Sequence, residues 1–288
     1  MDLIYQEKVK RGNARLPELP EVETVKRAIA SIAGGKKITD IFVGRKNLRW
    51  PIPTSLNKTL KGVICKQPQR RGKYILIPLS TKQILLIHLG MSGAFRIYKS
   101  RPNFQKHDHF AIGFESEEWL VFSDPRRFGC VDLFKEEYVL SHWLLKNLGP
   151  DPLSKEFTPD YIITKTASKT CSIKTFLLDQ RNIAGIGNIY ASEALFRAGI
   201  SPKRQAKNLK KKRAEKLVDS VKVILLRAID AGGTSLRDHI QPGGEIGYFI
   251  QSLQVYGRSG EPCRDCGSNI KELKQSGRTT FYCSLCQR

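Results

Sequence analysis

The chain has 288 residues, of which 40% are hydrophobic and 26% charged, proportions of a soluble globular protein with room for one large domain or several smaller ones. Its 49 Lys and Arg against 27 Asp and Glu leave a net charge of +22, which points to a polyanionic partner, nucleic acid first. No apolar run is long enough for a transmembrane helix, and Met1–Arg15 has no secretory core, so a cytoplasmic protein is expected; it is also expected to be a monomer.

In chain order, residues 1–16 carry no readable signal and are expected to be absent from the working protein. Leu16-Pro17-Glu18-Leu19-Pro20-Glu21-Val22-Glu23-Thr24 then reads as a helix start. Pro20 suits a first helical position, and Glu21 and Glu23 complement the positive end of the helix dipole. Val22, Val25, Ile29 and Ile32 recur at helical spacing, and Gly34-Gly35 ends the run. Pro17 and Glu18 are left without a role in that helix.

From Lys36 to Lys73 there are eleven basic residues and one acid, Asp40, a pattern suited to lining a phosphate backbone. Strand patterns follow over Ile38–Val43, Tyr74–Leu79, Ile84–His88, Phe110–Phe114, Trp119–Phe122 and Cys130–Phe134, so this stretch reads as an antiparallel sandwich or barrel-like unit, within a first domain expected over residues 17–147. Three turns in this region are candidates for more than packing. Arg70-Arg71-Gly72-Lys73-Tyr74 sets a lysine at a strand start. His88-Leu89-Gly90-Met91-Ser92-Gly93 puts a methionine between glycines. Asp124-Pro125-Arg126-Arg127-Phe128-Gly129 presents two arginines and an aromatic. Exposed Met and Phe side chains suit wedging into a base stack, and an arginine beside them suits reading an unpaired base. His107-Asp108-His109 lacks further ligands at matching spacing, so a phosphate contact fits it better than a metal.

Leu148-Gly149-Pro150-Asp151-Pro152-Leu153 marks a boundary, after which the period changes from about 2 to about 3.6 residues. Residues 148–250 read as helical. Gly185-Ile186-Gly187-Asn188 opens a short helix; Asn188 is placed to cap it, to hold a phosphate, or both. Lys203–Lys216, with eight basic residues and one acid, leads into an amphipathic helix closed by Gly232-Gly233. Gly232–Gly247, with five glycines and one proline, is long for a compact loop and reads as a lid or a disordered segment. In residues 251–288, Cys263-x2-Cys266-x16-Cys283-x2-Cys286 has the spacing of a four-thiolate zinc site around a hairpin.

Pro-Glu-Leu-Pro-Glu-Val-Glu-Thr, Arg-Arg-Gly-Lys-Tyr, His-Leu-Gly-Met-Ser-Gly, Asp-Pro-Arg-Arg-Phe-Gly, Gly-Asn-Ile-Tyr-Ala-Ser-Glu and the zinc motif together resemble the formamidopyrimidine-DNA glycosylases from Pro17 to Arg288. The resemblance implies an α+β multidomain protein: a β-sandwich, a helix–two-turn–helix domain and a β-hairpin zinc finger holding one structural Zn2+. It implies removal of oxidised purines such as 8-oxoguanine from double-stranded DNA, then cleavage at the abasic site. Carried over, Pro17 is the nucleophile, Glu18 its acid partner, and Lys73 and Arg278 serve the two eliminations. His107, Arg126, Lys169, Lys174 and Asn188 are expected DNA contacts. Met91, Arg126 and Phe128 would fill the gap left by a flipped nucleotide, and the 232–247 loop would cover the extruded base. The alternatives are an endonuclease VIII-type enzyme for oxidised pyrimidines, against which Leu19 argues, and a non-catalytic damage binder should the Pro17 nitrogen stay in a peptide bond.

Overall fold

The structure is a computed structural model that describes residues 17–234 and 249–288. Residues 1–16 and most of the 232–247 stretch lie outside the described residues.

Helix α1 (Leu19–Ala33) opens the described chain. It starts one residue earlier than Pro20 suggests, so the proline occupies its second position, which still lacks an intrahelical acceptor for an N–H. Strand β1 (Ile38–Val43) and the short helix α2 (Leu56–Leu60) follow. Then come β2 (Gln69–Arg71), β3 (Tyr74–Pro78), β4 (Gln83–His88), β5 (Ala94–Tyr98), β6 (Asp108–Phe114), β7 (Trp119–Ser123) and β8 (Cys130–Lys135). The strands form two antiparallel sheets in the orders β1-β6-β7-β5 and β2-β3-β4-β8. Their facing side chains, among them Ile75, Ile77, Leu85, Phe110, Ile112 and Phe122, make one core. Three elements, α2, β2 and β5, escape the periodicity because each is too short or too mixed in polarity to show one.

The helical part contains α3 (Pro159–Thr166), α4 (Ile173–Leu178), α5 (Asn188–Arg197) and α6 (Lys211–Asp230). Thr158 and Ser172 cap α3 and α4 by accepting the N–H of Tyr161 and Thr175. A final hairpin joins β9 (Lys271–Gln275) to β10 (Arg278–Tyr282) through Ser276-Gly277, both with positive φ. Phe196 of α5 packs into the small core of this last unit beside Val255, Ile270 and two of the cysteines.

Helix α1 joins the first two units. Val22, Ile29 and Ile32 belong to the sandwich core, whereas Leu19 is buried in the helical core with Ile186, Ile189 and Leu195. The Leu19 N–H donates to Gly185 O at 3.1 Å, and a side chain on Gly185 would strike the Leu19 side chain. Arg70 adds a second tie, reaching Glu23 at 2.9 Å and Asp151 at 2.6 Å.

Candidate active site at the domain junction

Glu18 precedes α1 and is carried by Leu19 into the helical unit. Its side chain is 3% exposed. Its two carboxylate oxygens accept the N–H groups of Ile189 (2.9 Å) and Tyr190 (3.3 Å), the first turn of α5. The helix start that the sequence suggests for a phosphate is therefore occupied at those two donors by a carboxylate from another part of the chain, which suits the positive end of the dipole. Gly187 is required here: a Cβ would lie 2.2 Å from Glu18 Cδ. Asn188 does not cap the helix. Its Nδ2 donates to Thr279 O at 2.9 Å, and its Oδ1 is buried without a partner. Pro17, buried, sits immediately before Glu18.

Lys73 reaches the same place from the sandwich. It forms the tip of the β2–β3 turn with Gly72, where Arg71 pairs with Tyr74. A Cβ on Gly72 would lie 3.1 Å from the Ala184 side chain, so the turn lies against the helical unit. Burial raises the Glu18 pKa, and attraction to Lys73 opposes that rise. Burial lowers the Lys73 pKa; Glu18 opposes that change and Arg278 adds to it. Each group thus favours the charged form of the other in a site whose low polarity favours neither.

Arg278 is exposed at the start of β10. Lys169 is exposed, but Lys174, expected beside it at DNA, is fully buried and donates to Thr280 Oγ1 (2.8 Å) and Thr279 O (3.3 Å). Its ammonium fastens the hairpin to α4 instead of facing solvent. Burial, with Arg278 adding and Glu18 opposing, lowers its pKa to about 7. Glu18, Lys73, Lys174, Arg278 and Asn188, scattered over the sequence, meet at this junction.

Sequence reading missed Glu21, which it assigned only to the helix dipole. Glu21 is buried, accepts the Glu18 N–H at 2.9 Å through Oε2, and through Oε1 accepts Tyr190 Oη–H (2.6 Å) and both the N–H and hydroxyl of Thr234 (2.8 Å each). The signal available was its position three residues after Glu18, the spacing at which a carboxylate turns back to the residue before a helix.

The two turns expected to form a wedge touch each other: a Cβ on Gly90 would lie 2.4 Å from Phe128 C. Met91 is half-buried, Arg126 exposed and Phe128 43% exposed, with Arg126 Cζ 5.1 Å from the Phe128 ring centre. The fully buried Asp124 carboxylate holds them by accepting Ser92 Oγ–H (2.5 Å) and Gly129 N–H (2.7 Å). Ser92 Oγ in turn accepts the Arg126 N–H at 3.0 Å. His88, neutral because burial, Lys73 and Arg49 lower its pKa to about 4, accepts the Gly90 N–H. His109 is buried against Asp124 O (2.9 Å), while His107 is exposed.

Cys263, Cys266, Cys283 and Cys286 bring their sulfurs within 4.8 Å of one another, the one such metal-ligating group among the described residues. The Cys266–Cys283 and Cys263–Cys286 sulfur separations are 3.5 and 3.9 Å. A tetrahedron with Zn–S bonds of about 2.3 Å has edges of about 3.8 Å, so the donor set fits one Zn2+.

Family models agree with this architecture. Residues 16–131 match the formamidopyrimidine-DNA glycosylase N-terminal domain, 148–239 its H2TH domain, and 260–288 the zinc finger found in FPG and IleRS. A formamidopyrimidine-DNA glycosylase of Jannaschia sp. is 45% identical over 283 residues, spanning 95% of this chain and 100% of that protein. The chain belongs to the formamidopyrimidine-DNA glycosylase family. A second member, from Cellvibrio japonicus, is 45% identical over 273 residues, again across its whole length. The Thermus thermophilus Fpg structure superposes with a TM-score of 0.84 at 36% identity, covering 94% of this chain and 98% of that one. A Lactococcus lactis Fpg in complex with abasic-site DNA gives 0.86 at 36%, covering 94% and 99%. Membership leaves the endonuclease VIII alternative without support. No described helix is long and apolar enough to cross a membrane.

Proposed function

We propose that this chain excises oxidised purines from duplex DNA and then cuts the strand at the abasic site, acting in the compartment that holds the chromosome. The observation that carries the reading is the buried Glu18 carboxyl, next in the chain to Pro17, within electrostatic reach of Lys73. In this reading residues 17–147 supply the chemistry, 148–250 grip the duplex, and 251–288 form the zinc finger. Cys263, Cys266, Cys283 and Cys286 would hold the Zn2+, which supplies the folding energy of so small a unit.

The nucleophile is the Pro17 nitrogen, and it works only as a free amine. An α-amino group titrates at about 7.7–8.0, against about 10.4 for a lysine side chain, so an appreciable fraction is neutral near pH 7. Its lone pair attacks the anomeric carbon of the flipped nucleotide, and the base leaves with a proton relayed through Glu18; the nitrogen then gives up its own proton as the sugar's C1′–O4′ bond opens and O4′ becomes a hydroxyl, which leaves a C1′=N iminium. The resulting iminium draws electrons from the adjacent carbon, which gives up a proton as the 3′-phosphate leaves; Lys73 and Arg278 neutralise the departing charges. Met91, Arg126 and Phe128 fill the vacated stack, since a lesion within a duplex must be turned out to be reached. His107 and Lys169 contact phosphates, while Asn188 and Lys174, which both donate to Thr279 O, act from beneath the hairpin.

The test is incision of matched duplexes bearing an oxidised purine, an oxidised pyrimidine or neither, with protein whose first residue is Pro17. Cutting confined mainly to the purine lesion is expected. Preference for the pyrimidine, or binding of lesion DNA without cutting, would contradict the proposal.

A further inference from the structure

A surface outside the junction carries a charge pattern that excision chemistry does not use. Between Lys203 and Lys216 eight cations stand against one acid, Glu215. Lys207, Lys210, Lys211 and Lys212 are all exposed. Among the described residues, none of the eight pairs with a carboxylate; Asp219 of α6 pairs with Arg197 instead. The Nε of Arg204 is buried without a partner.

The position of these cations works against the fold. Lys210 caps α6, Lys211, Lys212 and Arg213 fill its first turn, and no acid or capping side chain offsets them. Helices α1 and α3 show the usual arrangement, with Glu21 and Asp160 in their first turns. Cations at a helix N-terminus oppose its dipole, so folding alone gives no reason for three of them there.

The ridge adjoins the junction. Lys207 N–H donates to Lys169 O at 3.0 Å, Ala206 N–H to Cys171 O at 2.9 Å, and Ser172 bridges Gln205. Gln275 of the hairpin donates to Ser172 Oγ at 3.0 Å, and Lys174 bonds the hairpin beside Asn188. A continuous set of contacts thus runs from Glu18 through α5, the hairpin and Lys169 to the ridge.

We propose that Lys207, Lys210, Lys211 and Lys212 form an outer phosphate-binding ridge that grips the duplex backbone beyond the lesion, so that a longer stretch of undamaged DNA is held. The proposal rests on the DNA-repair reading above. Duplex DNA presents a negative charge about every 1.7 Å along its axis, so a cluster of exposed lysines can hold it without any base contact. An acidic protein surface is the competing partner.

The test is the variant Lys207→Ala/Lys210→Ala/Lys211→Ala/Lys212→Ala in otherwise unchanged protein, with salt titrations of binding to an undamaged duplex of about four helical turns. Each phosphate contact contributes about 0.9 to the slope of log affinity against log salt, so four lost contacts should make the slope shallower by about 3 to 4. Excision from saturated lesion duplex in a single turnover should keep its rate, and the melting temperature should hold or rise, because the removed charges oppose the helix dipole. An unchanged slope overturns the proposal and assigns the ridge to another partner. A lowered melting temperature with an unchanged slope makes it structural, which also overturns it. Wild-type protein that cannot cut lesion DNA at all would instead defeat the parent reading.

Discussion

The junction around Glu18 and the wedge around Phe128 solve opposite problems with the same device. At the junction, ionisable side chains must be kept out of water, where burial pushes Glu18 and Lys73 toward neutrality. At the proposed wedge, apolar and cationic side chains are held at the surface, where the proposed function has them enter a base stack. In both places a buried carboxylate fixes the geometry: Glu18 and Glu21 accept donors from α5, from the Glu18 backbone and from Thr234, and Asp124 accepts Ser92 and Gly129. In the proposed function the carboxylate is the reactive group in the first case and a hidden support in the second. Replacing the junction carboxylate is therefore expected to cost chemistry far more than stability, and replacing the wedge support to cost stability together with function.

The largest effect should come from Glu18→Gln. The amide keeps the shape but cannot relay a proton, so base release should fall by about 10² to 10⁴ in single-turnover assays while lesion DNA stays bound. A normal rate would end the role of Glu18. Next, Leu19→Ala should cost about 2–5 kcal/mol in denaturant unfolding, because Leu19 is fully buried in the helical core and fixes how Glu18 enters it. If stability is kept and excision is also kept, α1 is not the bolt between the units.

At the wedge, Asp124→Ala leaves the Gly129 N–H and Ser92 hydroxyl without their acceptor and should destabilise by about 1–3 kcal/mol per group, with slower lesion processing. Phe128→Ala should slow lesion processing at nearly unchanged stability, since the ring is 43% exposed. Equal stability losses in the two variants would erase the distinction between support and wedge.

A further effect concerns pH. Lys174 is lowered from 10.5 to about 7 in the fold. The unfolded chain holds that proton up to about 10.4. Between those values the unfolded state binds more protons, so stability rises with pH; below about 7 both states are protonated and the slope vanishes. Lys174→Met should therefore show a shallower rise across that window in unfolding experiments at stepped pH. Identical slopes would mean that the hairpin tie does not titrate.

Elements with a strong period were legible in the sequence. The amphipathic run after Lys216 is α6, and the apolar runs from Tyr74 and Ile84 are paired strands. The cysteine spacing predicted the four-sulfur cluster because knuckle geometry is local. What the sequence hid was set by distant partners. Glu21 looked like a dipole residue until Tyr190 and Thr234 came to it. Asn188 looked like a cap until Glu18 took that place. Lys174 looked like one more surface cation until the hairpin closed over it. A buried polar group is identified by its partner, and a partner 105 or 171 residues away leaves no periodic trace.

The central claim is that Pro17, with Glu18 behind it, is the group that attacks the sugar. Borohydride reduction during reaction with lesion DNA tests it most directly, comparing protein beginning at Pro17 with the full 288-residue chain. The account predicts a covalent protein–DNA adduct only when Pro17 is the free terminus, mapped by peptide mass to the Pro17 nitrogen. An adduct formed by protein that still carries residues 1–16, or one mapped to a lysine, would contradict it.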